Sequence, residues 1–215
     1  MTNFNFDFQS KQIEGPGYLE CKVPDQVRQE LIQTLDDLHS EIDPFCLSLV
    51  GHNERECQLP ITPNLKYLTE SLAEEYGKVF RVNPFKVFVN DDADHEFNLS
   101  SVWVNFSKKH DFNPIHKHSG VYSFVIWVKI PYDLDEEMQV YSGKVDGGVN
   151  SLFEFTTIEP FGVLQSQTVP VDKSYEWRMI FFPAQMMHQV YPFYSSDDFR
   201  VSISGNVFLA IRNKK

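Results

Sequence analysis

The stretch Phe199-Arg200-Val201-Ser202-Ile203-Ser204-Gly205-Asn206-Val207 decides the fold. Its alternation is strict: Val201 and Ile203 point one way and Arg200, Ser202 and Ser204 the other, which is the period of a β-strand with one apolar face. Downstream the pattern runs on to Ile211. Upstream the same period of two recurs in Phe85 to Val89, Phe97 to Phe106, Val121 to Ile130, Leu152 to Ile158 and Met179 to Phe182, with clusters of Asn, Asp, Gly and Pro between the runs. Several antiparallel strands in succession predict a β-sandwich or squashed barrel.

Before residue 86 the period changes. Pro24 and Asp25 offer a helix start, and Val27, Leu31, Leu35 and Leu38 recur at three- and four-residue spacing up to Ile42. A loop containing Gly51 and Pro60 follows. A second amphipathic helix opens at Asn64 or Thr69, with Leu65, Leu68, Leu72 and Tyr76 on one face before Gly77. Residues 1–16 read as an edge strand or tail closed by the turn Gly15-Pro16-Gly17, and Tyr18 to Val23 as a short strand. The expectation is a single domain over 1–215, in which 1–90 supply an N-terminal strand and two helices buttressing one sheet, and 91–212 the β core.

Composition narrows the function classes. Among 215 residues the aromatic share is 14%, with 19 Phe against 5 Met, which favours a β-rich interior over a helical bundle. A formal charge of −11 argues against a nucleic-acid partner, because phosphate contacts need clustered Lys and Arg. The three cysteines, Cys21, Cys46 and Cys57, form neither a disulfide framework nor a Cys-x-x-Cys metal site, so a reducing, cytoplasmic compartment is expected. Met1 to Ser10 lacks the pattern of a signal peptide, and no apolar run has the length of a membrane span.

Three features carry chemistry. In Asn113-Pro114-Ile115-His116-Lys117-His118 two histidines stand one residue apart where a polar loop enters the strand run Val121 to Ile130. In extended backbone such residues share a face about 6.5–7 Å apart, so both imidazoles can reach one metal ion. His188 follows the apolar strand that ends at Pro183, flanked by Met187 and Val190; alone it reads equally as a packed ring in a hydrophobic turn. Arg200 is the third. On a surface sheet its face is simply wet; if that face lines the barrel interior, a guanidinium there needs an anion, and Ser202, one pleat along, can bond the same carboxylate. The aspartate run Asp91 to Asp94 reads as a solvated loop. Trp103, Trp127 and Trp177 read as packing residues.

The order of these features resembles the Fe(II)- and 2-oxoglutarate-dependent dioxygenases, in particular the prolyl-hydroxylase-like branch and, within it, oxygenases of tailed bacteriophages. The resemblance rests on the Trp103-Val104-Asn105 strand, the Asn113-Pro114-x-His116-x-His118 turn, Phe182-Pro183-x5-His188 and Arg200-x-Ser202-Ile203-Ser204-x-Asn206, over roughly residues 97–210. It implies a mainly β double-stranded β-helix of jelly-roll or cupin-like type over the catalytic core, with Fe(II) and 2-oxoglutarate as cofactors. Carried over residue by residue, it makes His116 and His188 metal ligands and Arg200 with Ser202 the clamp for the far carboxylate of 2-oxoglutarate. His118 falls where most of the superfamily has a carboxylate, so the ligand set becomes His116, His118 and His188. Asp111, with Pro114 intervening, is a less natural substitute. Where relatives carry a tyrosine on the strand before the histidine pair, Phe106 and Ser107 stand here; Tyr122, which shares parity with His116 and His118 in a regular strand, is the candidate replacement, against the alternative of an inward core aromatic.

The reaction so implied consumes 2-oxoglutarate and O2, yields succinate and CO2 and hydroxylates an unidentified primary substrate, a peptide or small molecule. If the gene is phage-borne the site of action is the host cytoplasm. Two other classes stay open. One is a three-histidine cupin-type metalloenzyme that does not use 2-oxoglutarate. The other is a virion or binding module that keeps the fold without the chemistry. The acidic loop Asp133 to Asn150 either covers the site mouth, favouring a basic or peptide-like partner, or is only solvated. Oligomeric state is not written in the sequence.

Overall fold

A computed structural model describes residues 7–11, 17–40, 55–140, 148–158 and 162–212. The expected turn at Gly15-Pro16, Cys46, Gly51 and residues 141–147 of the acidic loop lie outside the described residues.

The alternating runs form two antiparallel sheets. In chain order the strands are β1 (Phe8–Lys11), β2 (Tyr18–Lys22), β3 (Arg55–Gln58), β4 (His95–Ser107), β5 (Asn113–His116), β6 (Tyr122–Lys129), β7 (Phe153–Ile158), β8 (Leu164–Val169), β9 (Arg178–Pro183), β10 (Met187–Val190) and β11 (Arg200–Ile211). A seven-stranded sheet has the order β1-β2-β9-β6-β11-β4-β3 and a four-stranded sheet the order β5-β10-β7-β8. From β5 onward the chain passes repeatedly between the two sheets, which gives the jelly-roll fold expected from the sequence.

Helices α1 (Asp25–Ser40) and α2 (Pro63–Val79) are the two amphipathic segments, and they cover the outer face of the large sheet. Leu65, Leu68, Leu72 and Tyr76 of α2 and Val27 and Leu31 of α1 are fully buried against Val104, Ile126, Val201 and Ile203. Each such side chain contributes roughly 1.5–3 kcal/mol of burial. A second cluster, including Phe153, Phe155, Ile180, Phe182 and Trp127, fills one end of the space between the sheets.

Several elements differ from the sequence expectation. Pro84 to Phe88 is a short helix, α3, because Asn83 caps Lys86 and Pro84 occupies the first turn. Part of the expected acidic loop is α4 (Leu134–Val140), tied down by Glu137, whose buried carboxylate accepts from the backbone N–H groups of Tyr194 and Ser195. Arg55–Gln58, within the stretch expected as a loop, is strand β3, which extends the edge of the large sheet. Cys21 is a free, buried thiol, whereas Cys57 is disulfide-bonded, against the expectation of reduced cysteines. Among the described residues no helix is long and apolar enough to cross a membrane.

Candidate metal centre and cavity

The inner face of the large sheet and the small sheet enclose a cavity of about 420 Å³. Alternation on three neighbouring strands supplies one wall: Arg200, Ser202, Ser204 and Asn206 of β11, Ser101, Trp103, Asn105 and Ser107 of β4, and Glu56 and Gln58 of β3. The polar face of the Arg200 strand therefore looks inward. Trp103 and Trp127 line the cavity as well as packing, which the sequence reading missed.

On the opposite wall three histidines converge. His116 ends β5 and is the cross-strand partner of His188 on β10, with ring centroids 4.3 Å apart. His118 lies beyond β5, in the crossover to the large sheet, with its ring centroid 5.0 Å from each of the other two. The two neighbouring histidines are thus not on one strand, as the spacing suggested. The crossover is held by the His118 N–H donating to Ala184 O at 2.8 Å and by Gln185 Nε2 donating to His118 O at 3.0 Å. One ring nitrogen from each histidine lies within 4.8 Å of the others, and no carboxylate joins this group among the described residues. Asp111 is instead engaged locally, accepting from Lys108 N–H at 2.7 Å.

Protonation suits a cation at this point. Nδ1 of His116 lies 2.6 Å from Pro114 O and Nδ1 of His188 lies 2.9 Å from Met186 O. A carbonyl only accepts, so in both rings the proton sits on Nδ1 and Nε2 is left with its lone pair, the arrangement that orients metal-bound imidazoles. Burial, followed by the neighbouring His116, holds His188 down at about 3 and His118 at about 4. Both rings are neutral at pH 7. Three ring nitrogens gathered at one point therefore fit a divalent metal ion.

Arg200 is 4% exposed, and among the described residues none of its hydrogen-bond partners is a carboxylate. Its Nη1 donates to Tyr132 Oη and to Tyr191 O, each at 3.3 Å, and its guanidinium stacks 5.3 Å from the Phe193 ring. Tyr132 is the tyrosine that meets the arginine. Tyr122, expected in that place, packs on the helix side of the large sheet against Tyr76, Phe97 and Phe181 and does not line the cavity. The reason is local: between His118 and Tyr122 the chain changes sheets through Gly120, at φ +97°, so strand parity is not carried across. Tyr132 stands beyond the end of β6 and offered no periodic signal.

Residues 101–206 match the family model described as "Putative 2OG-Fe(II) oxygenase". No curated protein matches the sequence. Among solved structures, a prolyl-4-hydroxylase from Pseudomonas putida is similar at 10% identity and TM-score 0.45, covering 88% of each chain. A 2OG-Fe(II) oxygenase family oxidoreductase from Burkholderia pseudomallei is similar at 15% identity and TM-score 0.41, covering 84% of this chain and 78% of its own.

Proposed function

We propose that the chain, whose residues 101–206 match the 2OG-Fe(II) oxygenase family model, is an oxidoreductase of that kind, with Fe(II) and 2-oxoglutarate as cofactors, and hydroxylates a primary substrate while 2-oxoglutarate is converted to succinate and CO2. His116, His118 and His188 are the metal ligands, through the nitrogen that each turns toward the other two. Arg200 and Ser202 receive the distal carboxylate of 2-oxoglutarate. When bound, the metal supplies the redox chemistry that couples decarboxylation of the keto acid to oxidation of the substrate by O2.

The observation that carries this reading is the buried Arg200 guanidinium in the same cavity as the histidine cluster. A buried cation without an anion is costly, and among the described residues no hydrogen-bond or ring partner of Arg200 supplies that negative charge. A dicarboxylate reaching from Arg200 toward the three histidines does. Tyr132 and Tyr191 O fix the guanidinium, so one edge stays available for a paired hydrogen bond to a carboxylate. The dianion also offsets the double charge that three neutral imidazoles leave on the metal.

Around His188 the cavity is apolar, with Phe153 of the small sheet and Phe182 and Val125 of the large sheet excluding water. Purified protein supplied with Fe(II), ascorbate and 2-oxoglutarate is expected to release succinate, with Arg200→Ala abolishing it. The all-histidine donor set also suits zinc or copper. If Arg200→Ala leaves 2-oxoglutarate binding unchanged, the three-histidine enzyme without 2-oxoglutarate becomes the better reading.

A further inference from the structure

Four glutamates are buried among the described residues: Glu20, Glu56, Glu137 and Glu154. Three are satisfied by the protein. Glu20 pairs with Arg178 and accepts from Tyr175, Glu137 accepts backbone N–H groups of Tyr194 and Ser195, and Glu154 accepts from Ser166, Gln189 and Tyr191. Glu56 is different. It is 8% exposed, lines the cavity, and has no side-chain hydrogen bond or ion pair among the described residues. Burying a carboxylate without a partner is as unfavourable as burying a bare guanidinium, so the cavity holds two uncompensated charges of opposite sign.

Sheet register separates them. Glu56 is directly opposite Asn105, which is opposite Ser202, while Arg200 lies one pleat further along, opposite Ser107. With strands about 4.8 Å apart, Glu56 stands two strands, or about 10 Å, to the side of the β11 line that carries Arg200 and Ser202. Gln58, the next inward residue of β3, is opposite Trp103, whose ring centroid is 5.5 Å from that of His118. The β3 side of the cavity thus runs alongside the metal cluster while avoiding the arginine.

Two further acceptors on this wall lack a partner. Asn105 is 6% exposed with Oδ1 unpartnered, and Asn206 Oδ1 is buried and unpartnered on the same wall. An amide can turn either end to a ligand, so the carboxylate decides the sign. A dicarboxylate is repelled here. What complements the lobe is a group with a positive charge and several N–H donors.

From this arrangement we propose that Glu56 recognises the primary substrate through a cationic nitrogen group, an amine or guanidinium of the kind carried by lysine or arginine side chains, with Asn105 and Gln58 beside it. The proposal rests on the oxygenase reading above, in that 2-oxoglutarate occupies the Arg200 side and leaves the β3 side to the substrate. Burial pushes the Glu56 carboxyl up to about 6, which a cation entering the lobe reverses.

The test is calorimetric, on the full chain held anaerobically with Fe(II) and 2-oxoglutarate. The probes are the N-acetyl amides of lysine, arginine, norleucine and glutamate. At least one cationic probe is expected to bind roughly tenfold or more tightly than the norleucine probe, and the glutamate probe most weakly. Glu56→Gln should reduce that preference to within about twofold and Glu56→Asp should retain it, both with 2-oxoglutarate affinity unchanged within the same margin. Equal binding of cationic and norleucine probes by the unaltered protein overturns the proposal without recourse to any variant. So does a preference that survives in Glu56→Gln. A Glu56-dependent preference in protein that does not bind 2-oxoglutarate would instead defeat the cofactor reading and leave this one standing.

Discussion

His116 and His188 face each other as a cross-strand pair of the β5–β10 ladder, and each fixes its ring by an Nδ1–H bond to the carbonyl two residues before it. The pairing makes the cluster a property of sheet register. His188→Ala, and equally His116→Ala, is expected to weaken Fe(II) or Zn(II) binding by about 100-fold or more, given that loss of a mere supporting partner costs about 10–100-fold. Equilibrium dialysis with metal analysis checks this. Retention of stoichiometric metal by His188→Ala would remove that ring from the ligand set.

Tyr132 holds Arg200 and is not itself a cavity residue. Tyr132→Phe removes one hydrogen bond from the guanidinium, an effect of about 0.5–1.5 kcal/mol, and should raise the KM for 2-oxoglutarate several-fold with little change in kcat. Arg200→Lys keeps the charge but loses the planar fork, and should cost more than Tyr132→Phe. Steady-state succinate formation gives both parameters.

Glu56 makes stability depend on pH in a particular direction. Burial lifts its carboxyl from its ordinary 4.5 to about 6, so between those values the folded state keeps a proton that the unfolded chain has released. Stability therefore falls as pH rises through that window, and the full cost, about 1–2 kcal/mol, is present above it. Glu56→Gln is spared that cost. Urea unfolding should show the variant gaining on the unaltered protein at pH 7.5 and losing the advantage at pH 4; an advantage of equal size at both values would contradict the assignment.

Gly120 links the crossover that carries His118 to the large sheet. At φ +97° a side chain is strained, and an added Cβ would lie 2.8 Å from Val207 O and 3.2 Å from the Phe208 ring. Gly120→Ala should destabilise the protein by about 1–3 kcal/mol and lower Tm by several degrees, measured by calorimetry. Because His118 is two residues away, metal affinity should fall as well.

What the sequence made legible is instructive at particular residues. Strict alternation in Arg200 to Ser204 identified a strand with one polar face, and that face lines the cavity. The two helices were readable because three- and four-residue apolar spacing has no rival explanation. Strands β5 and β10 are four residues each, too short for periodicity to register, although they carry His116 and His188. Parity misled at Tyr122, since a sheet change at Gly120 is invisible to a count of twos. Glu56 was hidden for a related reason: an edge strand of four residues after a long loop looks like more loop, and only pairing with β4 turns its carboxylate inward.

The proposed role of the three histidines and Arg200 is to bind a metal–2-oxoglutarate pair together. Anaerobic addition of Fe(II) and then 2-oxoglutarate, followed by visible absorption, tests it most directly. A metal-to-ligand charge-transfer band that grows to one equivalent of 2-oxoglutarate, is absent in His188→Ala and needs far more keto acid in Arg200→Ala is the expected result. No band at saturating Fe(II) and 2-oxoglutarate, or a band indifferent to both substitutions, would contradict it.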